Sequence, residues 1–243
     1  TAAVLIPLAL SPLCNISGIE VAGNRHYMSS EITDVIDIGV GDNGFKIIGR
    51  DISGLLTFRY KKAEADILKK CTYVKSVEVK YLIPDKIHIK IEERNPMCTI
   101  PYMGSYLIMD EEGVIIDIVA DAEDQNLPNV KGVKFESYEM GQALKFENSD
   151  SMEKIFSLIN AIKKSDDSSS YKLEELVDYI DISEAKKVCL FIDSRIMVNL
   201  GDLRDLDYRI SVLKYILQNN LKSEDRGILD FAAGEKPIFR QEG

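Results

Sequence analysis

Val74–Cys98 reads VKSVEVKYLIPDKIHIKIEERNPMC. At a period of two, Val77, Val79 and Tyr81 alternate with Glu78 and Lys80, and Ile87, Ile89 and Ile91 alternate with His88, Lys90 and Glu92. Each half is apolar on one face and charged on the other, which is the pattern of a strand with one side on a core and one in water. Leu82–Lys86 joins the halves, with Pro84-Asp85 as the turn element. The second strand is expected to end before Pro96, which cannot donate to a ladder. A hairpin covered on one face needs helices there, and the preceding sequence offers two.

Ile16–Asn24 (ISGIEVAGN) reads as a short strand with Ile19 and Val21 inward. Ser29-Ser30 offers a helix cap, and Ile32, Val35 and Ile36 give an amphipathic stripe. Gly39–Gly44 reads as a loop, because its glycines do not follow a strand and open a helix as in a dinucleotide cradle. A second helix is expected from about Thr57 to Lys70, with Ala63, Ile67 and Leu68 inward. The predicted order is strand, helix, helix, strand, strand.

After Pro96 a new unit is expected. Tyr106–Met109 and Val114–Ile118 flank a turn at Asp110–Gly113, and Ser151–Lys164 has helical spacing. Val177–Ile182, Val188–Ile192 and Ile196–Leu200 read as strands, the last two joined through Asp193-Ser194-Arg195. Leu203–Leu221 reads as a strong helix that buries Leu203, Leu206, Ile210, Leu213 and Leu217. Ile228–Phe231 is a further strand, and Glu235–Arg240 a last, edge strand, because Pro237 and flanking charges suit an edge.

The 243 residues carry 40 acidic and 30 basic side chains, a formal net charge of −10. That balance speaks against nucleic acid as a partner and against a surface that clings to anionic lipid. Cys14, Cys71, Cys98 and Cys189 have no C-x-x-C spacing; buried or free thiols are expected, with a Cys71–Cys98 bridge as the alternative. His26, in a turn, and His88, on a polar strand face, are the only histidines. No metal-binding, P-loop or nucleophile-elbow motif is present, which favours a binding protein over an enzyme. Thr1–Cys14 (TAAVLIPLALSPLC) is uncharged and apolar but shorter than the roughly 20 residues of a spanning helix. It reads either as the outer end of such a helix or as a buried N-terminal segment.

Ile19–Asn24 (I-x-V-x-G-N), Tyr73–Val79 and Ile83–Pro96 together resemble the polypeptide-transport-associated (POTRA) domain of the bacterial cell-division family FtsQ/DivIB. Asp110–Val114, Leu127-Pro128 with Gly132, Val198–Gly201 and Ile228–Phe231 are similar, in order, to segments of that family's β domain. The resemblance implies an α+β protein: the outer end of a membrane anchor at 1–15, a POTRA domain at 16–96 and a mixed or antiparallel β domain with two helices at 97–243. It implies a single-pass protein of the cell membrane with its domains on the extracytoplasmic side at the septum. It further implies a non-enzymatic scaffold of the divisome that needs no cofactor, binds FtsB/DivIC-type and FtsL-type proteins and works with the septal peptidoglycan machinery. By family position the partner-binding residues would be Ala233, Gly234, Glu235, Lys236, Pro237, Ile238, Phe239 and Arg240 at the edge, with Arg204, Tyr208 and Tyr215 beside it. The alternatives are a POTRA module for polypeptide translocation or membrane-protein assembly, and a hydrolase using carboxylates.

Overall fold

The computed structural model describes residues 7–48, 52–167, 169–184, 186–234 and 236–242. The chain divides into two compact units, Thr1–Asn95 and Pro96–Gly243.

In the first unit, β1 (Gly18–Ala22), β2 (Val74–Leu82) and β3 (Lys86–Glu93) form a sheet of order β1-β3-β2. The quoted hairpin is β2 and β3, paired antiparallel with Val79 opposite Ile89, and β1 joins β3 in parallel with Ile19 opposite Ile87. Val79, Ile87 and Ile89 are fully buried, as the alternation predicts. Among the described residues four helical segments lie between β1 and β2, rather than the two expected: α1 (Ser29–Val35), α2 (Gly44–Ile48), α3 (Ile52–Thr57) and α4 (Lys61–Lys70). The helix expected from Thr57 starts only at Lys61. Phe58 is left-handed (φ 53°), and residues 58–60 run beside β2 instead, with Tyr60 N–H donating to the Val79 carbonyl at 2.9 Å. Ala63 and Ile67 are buried, but Leu68 is 44% exposed. Ser29 is inside α1, with Met28 at the cap position, and Ile36 packs as the residue that ends the helix.

Glu93 continues the inward phase of Ile87, Ile89 and Ile91 and is buried. Its carboxylate accepts the backbone N–H groups of Arg25 and His26 at 2.8 Å and of Tyr27 at 3.2 Å. A buried carboxylate needs such donors, and here they tie the loop before α1 to the end of the sheet. The exposed His26 ring stacks on Tyr73 with centroids 3.6 Å apart.

In the second unit, β4 (Pro96–Tyr102), β5 (Ser105–Asp110) and β6 (Ile115–Val119) form an antiparallel meander. Pro96 opens β4 rather than ending structure, since a first strand position tolerates proline. Met97, Cys98, Thr99 and Ile100 are all buried, so β4 shows no alternation for a period-two reading to find. Asp110 caps the β5–β6 turn by accepting Val114 N–H at 2.8 Å.

The second sheet has six strands in the order β12-β11-β10-β9-β8-β7: β7 (Val130–Lys131), β8 (Val177–Glu184), β9 (Lys187–Ile192), β10 (Ile196–Gly201), β11 (Gly227–Asp230) and β12 (Ile238–Gln241). β7–β8 and β10–β11 are parallel and the other pairs antiparallel. Asp193 and Ser194 are both left-handed in the β9–β10 turn, as a tight hairpin requires. Gly132 (φ +79°) follows β7, and a Cβ there would lie 2.4 Å from the Ser183 amide nitrogen. α5 (Ser151–Asp167) and α6 (Leu206–Asn219) pack together and bury Ile155, Leu158, Ile159, Ile210 and Leu213 in the same core. At the end of α5, Asp166 pairs with Lys214 of α6 at 2.7 Å, both buried. Asp166 also accepts Leu173 and Glu174 N–H. Burial pushes its pKa up, but those donors outweigh it and hold the carboxyl below its usual range.

All four cysteines are free and buried, and the Cys71–Cys98 bridge is not formed. Part of the expected anchor, residues 1–6, lies outside the described residues. Among the described residues no helix is long and apolar enough to cross a membrane.

Candidate partner-binding edge

β12 ends the six-stranded sheet. It pairs with β11 through Gly227–Gln241, Ile228–Arg240, Leu229–Phe239 and Asp230–Ile238. The approach is close, since a Cβ on Gly227 would lie 2.1 Å from the Arg240 oxygen. Glu242 N–H donates to the Arg226 carbonyl at 2.9 Å, and Gly227 N–H to Arg195 of the neighbouring turn at 3.2 Å. These two bonds set the phase. Antiparallel alternation turns the backbone groups of residues 238, 240 and 242 towards β11. Those of Phe239 and Gln241 point to the open side of the sheet. Side chains alternate separately. Phe239 is half-buried against the core, whereas Ile238 is 46% exposed and Arg240 faces water with its guanidinium 3.7 Å from Asp230.

The strand is shorter than the expected Glu235–Arg240. Ala233 and Gly234 belong to an exposed loop, Lys236 is exposed and Pro237 half-buried before the strand begins. Glu235 lies outside the described residues.

The helix expected from Leu203 begins at Leu206. Gly201, Leu203 and Asp205 are all left-handed (φ 68°, 62° and 51°), a backbone no right-handed helix can contain. Arg204 therefore sits in the turn before α6, with its guanidinium 2.7 Å from the Asp202 carboxylate. Tyr208 and Tyr215 are 66% and 63% exposed. Seven residues apart, they share a helix face about 10 Å apart along the axis. Leu203 and Leu206 are only half-buried. The edge and this turn meet through the loop after β11: a Cβ on Gly201 would come within 3.2 Å of the Ala232 Cβ.

Two polar residues hold that junction. Asn199 and Asp230 stand in register on β10 and β11. Asn199 Nδ2 donates to Asp230 at 3.0 Å, its Oδ1 accepts Gly201 N–H at 3.0 Å, and Asp230 accepts Ala232 N–H at 2.9 Å. Their signal in the sequence was a polar residue inside each of two otherwise apolar strands.

Beside the turn, the starts of α5 and α6 enclose an open hollow of about 750 Å³, lined by Asp150, Glu153, Lys154, Asp202, Asp205 and Asp207 among others. The Arg204 side chain holds Asp202 below the usual carboxylate range, and the Lys154 side chain does the same for Asp150. Among the described residues no group of His, Cys, Asp or Glu could hold a metal ion. The arrangement offers backbone donors and acceptors on an open edge and an acidic hollow for basic side chains.

Residues 14–94 match the POTRA domain, FtsQ-type. The chain is 21% identical over 238 residues to "Cell division protein DivIB" of Clostridium botulinum, covering 97% of this chain and 86% of the relative. It is 25% identical over 185 residues to "Cell division protein FtsQ" of Koribacter versatilis, covering 75% of this chain and 48% of that one. The major extracytoplasmic domain of DivIB from Geobacillus stearothermophilus superposes with a TM-score of 0.30 at 11% identity, covering 54% of this chain and 99% of that domain, too loosely to bear on the fold. Residues 14–94 thus carry an FtsQ-type POTRA domain, a β domain follows it, and the chain is similar along nearly its whole length to DivIB, and along three quarters of it to FtsQ, both bacterial cell-division proteins.

Proposed function

We propose that this chain is a non-enzymatic scaffold and regulator of the divisome that stabilises the septal complex by binding FtsB/DivIC-type and FtsL-type membrane proteins. The bond is made by β-augmentation: a partner segment pairs with the open side of β12, and neighbouring side chains select it. The observation that carries this reading is the phase of β12, which leaves the backbone groups of Phe239 and Gln241 directed away from β11 at the end of the sheet. Ile238 and Arg240 would meet the partner's side chains, and Tyr208, Tyr215 and Arg204 would extend the contact along α6. In this reading residues 16–96 are the POTRA domain and 97–243 the partner-binding β domain. Both stand on the extracytoplasmic side of the cell membrane, held by a single-pass anchor to which residues 1–15 contribute.

The test is titration calorimetry of the chain against the purified extracytoplasmic coiled-coil pair of the same organism. Binding is expected, and deletion of residues 233–243 is expected to abolish it. Absence of binding by the well-folded full chain, or binding that survives the deletion, would refute the assignment.

A further inference from the structure

Ten large apolar side chains of the first unit are exposed among the described residues, and all but Met28 and Leu68 gather at one end of its sheet. Leu8, Leu10 and Leu13 lie on the segment entering the fold, 52%, 57% and 69% exposed. That segment is fastened by Asn43, whose side-chain amide donates to the carbonyls of Ala9 and Ser11. Val40, 68% exposed, precedes Gly41, whose N–H donates to Ile16. Leu82 and Ile83 form the tip of the β2–β3 hairpin at 46% and 56% exposure, and the hydroxyl of Tyr81 beneath them donates to the Cys14 carbonyl at 3.0 Å. Leu56 and Phe58 adjoin this tip, because Phe58 accepts Tyr81 N–H and Arg59 bridges to Lys80; Leu56 is 84% exposed. Under them Phe45 packs edge-to-face on both Phe58 and Tyr81.

We propose that this end of the POTRA unit inserts into the interfacial layer of a lipid bilayer, an interaction separate from the partner edge on β12. Monomeric proteins rarely leave apolar residues gathered in one exposed patch without use. Side chains this exposed protrude rather than line a slot. A fluid bilayer can close around protruding aliphatics, whereas a folded partner would need a matching concavity. The uncharged run 1–14 joins the fold at this same end. The aromatic cluster lies just behind the aliphatic tips, as side chains do at membrane interfaces. Charges near the tips are of both signs, Asp42, Lys46, Asp85 and Lys86. The attraction is therefore to hydrocarbon. With a net charge of −10 the chain should bind phosphatidylcholine vesicles at least as well as phosphatidylglycerol vesicles.

The chain contains no tryptophan, so one introduced residue is a clean reporter. Ile83→Trp is placed in the tip. Met28→Trp is the control: it is 68% exposed and adjoins Tyr27, which Glu93 holds at the other end of the sheet. With phosphatidylcholine vesicles carrying a brominated lipid, the reporter at position 83 should shift to the blue and be quenched, and the one at 28 should not. Adding Leu56→Asp and Leu82→Asp to the Ile83→Trp chain should lower its vesicle-dependent quenching about tenfold. Equal quenching at both positions, quenching at neither, or insensitivity to the aspartates would overturn the proposal. So would a blue shift at position 83 that grows with protein concentration in the absence of lipid, since that would mark a second copy as the occupant.

Discussion

The phase of β12 makes a proline test possible. Gln241 is exposed, and its N–H points away from β11 because Glu242 N–H donates to Arg226 at 2.9 Å. Gln241→Pro thus removes no ladder bond. The ring's fixed φ suits an edge strand, and Arg240 before it is already extended as proline demands. Stability should change by less than about 0.5 kcal/mol. A partner strand, however, loses a backbone donor worth about 1 kcal/mol and meets the ring where its own backbone should approach, for a total of about 1.5–2.5 kcal/mol, or a Kd roughly 10- to 60-fold weaker. Arg240→Pro is the mirror case. Its N–H is directed at Ile228, so the substitution orphans an acceptor inside the sheet and should cost about 1–3 kcal/mol of stability. Calorimetry against the coiled-coil pair reads the first effect, and urea unfolding followed by circular dichroism reads the second. Binding of Gln241→Pro as tight as that of the parent chain, or unfolding of the sheet by Gln241→Pro while Arg240→Pro is silent, would refute this phase of β12.

Lys214→Met leaves Asp166 buried without its cation and should cost about 3 kcal/mol, measured by urea unfolding; a loss below about 1 kcal/mol would show that the pair contributes little. Because the folded-state pKa of Asp166 is depressed, its contribution is complete above the unfolded value near 4 and disappears as pH falls through the lower folded value. The acid limb of a stability–pH curve should therefore flatten in Lys214→Met, and an unchanged limb would assign acid loss to other groups. Cys98, whose pKa burial pushes up to about 12, and the three other buried thiols should resist iodoacetamide in the native chain and react on unfolding; rapid native labelling of Cys98 would contradict its placement. Gly132→Ala should lower stability by about 2 kcal/mol or more, since the position combines positive φ with the Ser183 amide in the space of a Cβ; a melting temperature equal to the parent's would refute that geometry.

What could be read from the sequence depended on whether a pattern was local. The β2–β3 hairpin was legible because each strand has one wet face, so burial and alternation carry the same information. β4 was not, because it is buried along Met97–Ile100 and its first residue is a proline that read as a terminator. The start of α6 was misplaced by three residues, because the Leu203 and Leu206 spacing continues a helical stripe through a turn that the backbone makes left-handed. Glu93 and Lys214 hold the same lesson in reverse. Each sits in the inward phase of its element, at a position where an apolar residue would be expected. That misfit is itself a sign of buried partners, although the partners, Arg25–Tyr27 and Asp166, lie far away in sequence. The order of the family-like segments was legible. The phase of β12 was not, because which backbone groups face outward depends on its register with β11.

The dimensions of the edge bound what it can contribute to binding. Two residues, Phe239 and Gln241, offer two N–H and two C=O groups to a partner strand, and at about 1 kcal/mol each the backbone supplies about 4 kcal/mol, which corresponds to a Kd near 1 mM before any ordering cost. An edge this short, led in by Pro237 and carrying Arg240, also resists pairing with a second copy of itself. Main-chain pairing can therefore set the register and direction of a partner but cannot hold it at micromolar concentration. The remaining 4 kcal/mol or more must come from side chains. The available ones are Ile238 and Arg240 on the strand, and Tyr208 and Tyr215 with the acidic hollow by α6. A partner that fits both features would carry a short extended segment and, next to it, a basic or aromatic helix. A segment truncated to the strand alone should bind too weakly to detect.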